Sequence, residues 1–397
     1  MKLSEKVNRC NLSPIRKFYP LMQKARARGI QIIPLNIGQP DIETPRGFFE
    51  AITSYQQKVL DYAPSPGIPC MIEAIQNYYG KLDVHFDASE IIVTTGGSEA
   101  LSMALSCILD EGDEVLVAEP FYPNYRTFVN MAGGRISPIP TTPEEGYHFA
   151  SREKIVPRIT EKTRALMLSN PGNPTGTILT QDEIRLVADI AKEYGLYLIC
   201  DEVYREFIYE GELLTAAHIP GIEENLIIID SVSKRFSACG ARIGALISRN
   251  KEFMQAAMKL AQARLSVATV EQYGAAALYS VPDTYFEAVR EEYRRRRDVC
   301  YAGLTAIPGI VVAEPKGAFY MMAKLPVDNA EKFQTFLLEE FEDNNQTVTF
   351  APGNGFYATP GAGEQEIRVA YVLQSEDLQR ALELLKLAIE KYQAKYM

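Results

Sequence analysis

ALMLSNPGNPTGTILTQDEIRLVADIAKEYGLYLICDEVY, residues 165–204, holds two short apolar runs, Ala165 to Leu168 and Leu196 to Cys200, on either side of one helical pattern. Thr180-Gln181-Asp182-Glu183 spells a capping box at the helix start and Gly195 a stop at its end. Strand, helix, strand at this spacing is a β-α-β unit, and its two strands lie parallel because the helix carries the chain back along the sheet. Moving outward, Ile91 to Thr95, Glu114 to Ala118 and Leu226 to Asp230 are further apolar runs separated by helical patterns. The expected fold class is therefore α/β, with a large domain over residues 46–282 built on a mainly parallel sheet sandwiched by helices. Beyond Pro282 come a charged helix, strand-like runs between Gly309 and Pro326, and an amphipathic helix near Ser375 to Tyr396. These predict a smaller α+β domain formed by residues 1–45 together with 283–397.

Composition narrows the function classes. The chain has 397 residues, 47% hydrophobic and 23% charged, the balance of a folded globular protein with a large core. Lys plus Arg number 41 and Asp plus Glu 51, giving a net charge of −10 that disfavours nucleic acid as a partner. No run of 18 apolar residues marks a membrane span, and Met1 to Cys10 lacks the apolar core of a secretion signal, so a cytoplasmic protein is expected. Six cysteines far apart, Cys10, Cys70, Cys107, Cys200, Cys239 and Cys300, are expected to be reduced and buried. The three histidines, His85, His148 and His218, show no metal-ligand spacing, so no metal is expected.

In an open parallel sheet, ligands bind beyond the carboxyl ends of the strands, and the polar oddities of this sequence cluster there. Gly96-Gly97-Ser98 opens a helix directly after a strand, which points free N–H groups and the positive end of the helix dipole at an anion. Ser231, Ser233 and Arg242 add hydroxyls and a guanidinium fork suited to a phosphate. Lys234 follows a strand end; its amine can form a Schiff base with an aldehyde, and Arg235 and Arg242 nearby would favour its neutral, reactive form. Asp201 ends an apolar strand and needs a cationic or N–H partner, a protonated pyridine nitrogen being one. Asn173 is held in a loop stiffened by prolines and glycines, while Tyr122 and Tyr204 offer a stacking face and a phenol. Each of these taken alone has a plainer reading as a cap, a turn or a core residue; the weight lies in their combination.

Ser231-x-Ser233-Lys234-x-Phe236-x-x-x-Gly240-x-Arg242-x-Gly244, with Asn170-Pro171-x-Asn173-Pro174-x-Gly176 and Asp201-x-x-Tyr204 upstream, resembles the pyridoxal-phosphate aminotransferases of fold type I, class I, the aspartate aminotransferase-like family. The likeness runs from Leu35 to Val369. It implies a seven-stranded sheet and pyridoxal 5'-phosphate as cofactor. It also implies that Lys234 holds that cofactor covalently, Asp201 pairs with its ring nitrogen, Asn173 and Tyr204 bond its phenolic oxygen, and Tyr122 stacks on its ring. By the same resemblance Gly97, Ser98, Glu99, Ser231, Ser233 and Arg242 surround the phosphate. Tyr62 would reach the phosphate of a neighbouring subunit in a homodimer with shared active sites. Gly38, Asn173 and Arg368 would meet the substrate, Arg368 gripping its α-carboxylate.

The implied reaction moves an amino group from an L-amino acid, aspartate-like first, to a 2-oxo acid such as 2-oxoglutarate, with ping-pong kinetics. A carbon–sulfur β-lyase, or an aminotransferase for aromatic or branched amino acids, is the alternative that the same loops would serve. The family's Tyr-Pro-Asn-His is here Tyr122-Pro123-Asn124-Tyr125, so a phenol stands where a cation could form beside Asp201. A dicarboxylic substrate needs a second cation beyond Arg368, and Arg264 and Arg16 are the candidates by position. Gly353 to Ala358 matches G-x-G-x-x-A, but Thr359-Pro360-Gly361 follows where a helix should start, so a glycine-rich turn is expected rather than a nucleotide site. The basic run Arg294 to Arg297 is expected on a solvated or domain-facing helix surface.

Overall fold

The computed structural model describes residues 1–211 and 214–397. Its central sheet has seven strands, Ile91–Thr94, Glu114–Glu119, Arg135–Pro140, Thr163–Ser169, Tyr197–Asp201, Leu226–Ser231 and Gly244–Ile247. Counted one to seven along the chain, they lie side by side in the order 1-7-6-5-4-2-3. Gly244–Ile247 runs antiparallel to both neighbours, and the other pairs are parallel.

Side-chain alternation explains why helices cover both faces. Along Thr163–Ser169, Leu166 and Leu168 enter the core on one side while Ala165 and Met167 enter it on the other. A strand with no solvated face must be sandwiched. Gly96–Ile108 and Lys251–Arg264 supply the cover on the Ala165 side, through Ala100, Leu101, Ala104, Phe253 and Ala257. Pro69–Gly80 and Gln181–Glu193 supply it on the Leu166 side, through Met71, Ile75, Val187 and Ile190. The Thr180 capping box forms as the sequence spells it: Thr180 Oγ1 accepts from the Glu183 N–H at 3.3 Å and Glu183 Oε2 accepts from the Thr180 N–H at 2.8 Å.

A second sheet of four antiparallel strands follows the spatial order Ala351–Pro352, Glu366–Ala370, Tyr320–Lys324, Val311–Val312. The long helices Asp283–Thr305 and Ser375–Tyr396 share one apolar core with it, through Leu304, Met321, Val369 and Leu385. Gln31–Pro34 pairs in parallel with Gln346–Thr349, which ties the start of the chain to this C-terminal unit. Gly353–Phe356 is a single 3₁₀ turn, and the next α-helix begins only at Ser375, in keeping with the glycine-rich turn read from the sequence. Within the basic run, Arg294 and Arg295 are exposed partners of Glu291 and Glu292, whereas Arg296 and Arg297 turn inward to Asp41 and to the Pro315 carbonyl. The cysteines are all unpaired, but the expectation that they are buried is corrected: Cys200 and Cys300 are buried, Cys10, Cys107 and Cys239 are partly open, and Cys70 is exposed.

Candidate active site

The carboxyl ends of the central strands, the loop after Gln31–Pro34 and the strand Glu366–Ala370 enclose a cleft of about 710 Å³. Gly38, Gly97, Ser98, Tyr122, Asn173, Asp201, Tyr204, Ser231, Ser233, Lys234, Arg242 and Arg368 all line it. Residues spread over more than three hundred positions thus meet in one place, because parallel strands deliver every following loop to the same rim.

At one end of the cleft the helix Gly96–Ile108 starts with Thr95 at its cap position and no side-chain capping bond, so Ser98 is not the cap and the first-turn N–H groups stay available. Gly96 has φ +75°, and a Cβ there would overlap the Arg242 guanidinium, so only glycine lets the arginine lie over the helix start. Arg242 donates to the Cys239 carbonyl at 2.9 Å and to Ser233 Oγ at 3.4 Å. Ser231 Oγ stands 2.9 Å from Ser233 Oγ.

In the middle, the Lys234 amine donates to the Gly38 carbonyl at 2.9 Å and lies 3.7 Å from Cys239 Sγ. Asp201 is buried; its Oδ2 accepts the Tyr125 hydroxyl at 2.5 Å and its Oδ1 the Val203 N–H at 3.4 Å. Burial pushes the Asp201 carboxyl up to about 6, against the pull of those two donors, and the nearby Asp230 and Glu202 carboxylates push it the same way. Tyr122 packs edge-on against Tyr125 at 5.4 Å, and burial raises its phenol above the ordinary value.

At the far end, Arg368 is 2% exposed and donates to Asn173 Oδ1 at 3.2 Å and to the Asn36 carbonyl at 2.8 Å. Its guanidinium lies 4.4 Å from the Tyr320 ring and 5.0 Å from the Phe356 ring. Arg368 Nε is buried without a hydrogen-bond partner, which leaves a donor for an incoming carboxylate; Asn36 Oδ1, also buried and unpartnered, is an acceptor. The Tyr204 hydroxyl lies 3.5 Å from Asn173 Nδ2 and 3.0 Å from the Tyr320 hydroxyl.

Two expectations change, those for Arg235 and Glu99. Arg235 does not face Lys234: its side chain is fully buried and donates to Asp230 at 2.7 and 3.0 Å, so Arg242 is the cation of the motif that reaches the cleft. Glu99 turns its carboxylate to the Thr95 N–H at 2.6 Å and toward Arg264 at 3.7 Å, away from the cleft. Tyr62 is 80% exposed and stands outside the cleft of its own chain. Tyr320 and Cys239 carry no signal in the sequence. Tyr320 sits in a run legible only as strand-like, and its hydroxyl reaches the Gly38 carbonyl at 3.4 Å through tertiary packing alone. A Cβ on Gly38 would overlap that hydroxyl.

Pyridoxal phosphate fits this donor set. Open helix N–H groups, two serines and Arg242 form an anion cradle at one end, a primary amine faces the cleft, and a buried carboxylate lacks a cation among the described residues. No group of three metal-ligating side chains exists among the described residues.

Comparison with known proteins agrees. A family model described as aminotransferase class I and II matches residues 30–385. Aspartate aminotransferase of Bacillus subtilis (strain 168) is 31% identical over 99% of this chain and 100% of its own length. Aspartate/prephenate aminotransferase of Thermus thermophilus is 33% identical over 90% of this chain and 91% of its own. The structure of aspartate aminotransferase from Thermus thermophilus with maleate superposes with a TM-score of 0.89 at 30% identity, covering 98% of this chain and all of that one.

Proposed function

The chain belongs to the aminotransferase class I and II family and is a pyridoxal-phosphate-dependent aminotransferase, and from that premise we propose that its preferred donor is a dicarboxylic amino acid of the aspartate type, with a 2-oxo acid such as 2-oxoglutarate as acceptor. One observation carries the site assignment: the Lys234 amine, the Asp201 carboxylate and the Arg368 guanidinium open onto a single cleft. The aspartate relatives, and a neighbour solved with a four-carbon dicarboxylate, support the choice of donor.

When bound, pyridoxal phosphate supplies an aldehyde and an electron sink that makes the substrate Cα proton acidic. Gly97, Ser98, Ser231, Ser233 and Arg242 would hold its phosphate, Asn173 and Tyr204 its phenolic oxygen, and Tyr122 one face of its ring. Asp201, pushed up to about 6, is mostly ionised at neutral pH and is placed to hold a cationic N–H. Arg368, braced by Asn173, Asn36 and the Tyr320 ring, orients the substrate through its α-carboxylate. The Lys234 amine, tethered to the Gly38 carbonyl, is the base that takes the Cα proton and returns it.

Exposed apolar side chains support a homodimer with shared sites. Phe49, Val59, Leu60, Tyr62, Leu265 and Tyr273 are all open to solvent. Their two segments adjoin, Tyr55 packing on Tyr273 at 5.5 Å and Thr269 bonding the Asp61 carbonyl. A second copy of the chain would cover them and bring its Tyr62 to this cleft. Unpaired cysteines are consistent with a cytoplasmic location. No helix among the described residues is long and apolar enough to cross a membrane.

Absorbance of the purified holoenzyme tests the reading. Aspartate should bleach the visible cofactor band, and 2-oxoglutarate should restore it. Bleaching by aromatic donors alone would replace the donor assignment, and free ammonia without recovery of the band would turn the reaction into a lyase.

A further inference from the structure

We propose that Glu119 is a positioning residue: it clamps the segment that closes the glycine-rich motif Gly353–Ala358, and through Phe356 it fixes the Arg368 guanidinium where the substrate α-carboxylate docks. The role rests on Arg368 being the carboxylate anchor, as assigned above. Glu119 ends the second central strand, Glu114–Glu119, and is 2% exposed. Its Oε2 accepts from two successive backbone groups, the Ala358 N–H at 2.9 Å and the Thr359 N–H at 3.0 Å. Its Oε1 accepts the Thr359 hydroxyl at 2.6 Å. Three donors thus converge on one buried side chain, which suits an ionised carboxylate because it accepts at both oxygens and puts no donor in the way.

Two neighbours of Glu119 complete the grip. The Phe121 N–H donates to the Phe356 carbonyl at 2.8 Å, and Arg126 donates to the Tyr357 carbonyl. Every residue from Phe356 to Thr359 is therefore bonded through its backbone to the stretch 119–126. Phe356 is fully buried, and its ring lies 5.0 Å from the Arg368 guanidinium. Ala351 pairs with Arg368 in the second sheet, so the chain leaves that strand beside Arg368 and brings Phe356 back to it. The glycines make the detour compact: a Cβ on Gly353 would overlap Glu366, and one on Gly355 would overlap Pro14. Arg368 also reaches Asn173 at 3.2 Å, a bond that depends on the same register between the two sheets. The stretch 119–126 faces the other way as well, for Tyr125 bonds Asp201 at 2.5 Å. Glu119 thereby ties the substrate end of the cleft to the stretch that carries the contact to Asp201.

Holoenzymes of wild type, Glu119→Gln, Thr359→Val, Arg368→Lys and the double variant Glu119→Gln/Arg368→Lys are titrated by calorimetry with propionate. It has one carboxylate and no amine, so it reports on the Arg368 end whatever the preferred donor. Glu119→Gln keeps the size but sets an amide donor against two N–H groups, and it should weaken propionate about 10-fold, the order of one charged hydrogen bond. For the amino donor that bleaches the cofactor band, KM should rise by a similar factor while kcat changes by about twofold or less. The band and its pH titration should stay as in wild type. Thr359→Val removes one of the three donors and should weaken propionate about threefold. On top of Arg368→Lys, Glu119→Gln should cost about twofold or less, because the guanidinium it acts through is already gone. Wild-type propionate affinity in Glu119→Gln overturns the proposal. So does its full loss added to that of Arg368→Lys, which would make Glu119 a general support of the fold. Should Glu119→Gln fail to retain the cofactor, Thr359→Val decides, and wild-type propionate affinity there overturns the proposal. Failure of the anchor reading looks different: Arg368→Lys itself would bind propionate as wild type does, and the proposal would fall with it.

Discussion

Asp201 and Asp230 stand at the ends of adjacent parallel strands, and both are buried, but they are partnered in opposite ways. Asp230 is saturated from within the chain: Arg235 donates at 2.7 and 3.0 Å, the Ser231 N–H at 2.7 Å and the Tyr79 hydroxyl at 3.3 Å. Asp201 has a phenol, one long N–H bond and no cation among the described residues. A buried carboxylate whose counter-charge is built in holds the fold together. One whose counter-charge is left out costs stability and is kept for a cation that arrives from outside.

The sharpest way to break this contrast is Arg235→Ala. It strands Asp230, and we expect a loss of about 3–5 kcal/mol in urea unfolding; a loss below about 1 kcal/mol would mean that Asp230 is not held as described. Asp201→Asn should do the reverse, costing the cofactor-free protein no stability in urea at neutral pH while kcat/KM falls on the order of 10²–10³-fold, or about 3–4 kcal/mol. A variant with near wild-type turnover would remove Asp201 from the site.

The third prediction uses pH. The Asp201 carboxyl sits at about 6 in the folded chain against an ordinary value of 3.8, so between those values the folded state keeps a proton that the unfolded state has lost. Stability of the cofactor-free protein should therefore drop as pH rises through that window, by up to about 3 kcal/mol relative to Asp201→Asn, which lacks the group. Superimposable stability curves for the two proteins would refute it. The smallest effect is expected from Tyr125→Phe. Losing a donor that favours the charged form moves the acid limb of kcat/KM to higher pH at a cost of about 1 kcal/mol, and a shift to lower pH would contradict the bond.

Much of this was legible in the residues. Five of the seven central strands announce themselves as apolar runs because both of their faces are buried. Arg135–Pro140 does not, since it is a partly exposed edge strand with prolines at 138 and 140. Gly244–Ile247 begins on the last glycine of the glycine-rich motif and so does not stand apart from it. In the site, residues carried by local motifs, Lys234, Asp201, Asn173 and Arg242, all reach the cleft. Tyr320 was invisible because only the packing of one sheet against the other rim brings its hydroxyl to Gly38. The direction of Arg235 was equally hidden, for Lys234 and Arg235 are neighbours in a one-turn helix and spacing does not say which of them points inward.

The pairing of Gln31–Pro34 with Gln346–Thr349 has a consequence for synthesis on the ribosome. Gln31 meets Gln346, a separation of 346 − 31 = 315 residues. All seven central strands lie between 91 and 247, so they can associate while the first strand still waits for its mate. A nascent chain arrested near residue 300 should therefore resist protease across the central sheet and be cut within its first thirty-five positions, and that early segment is where a chaperone would find the growing chain open.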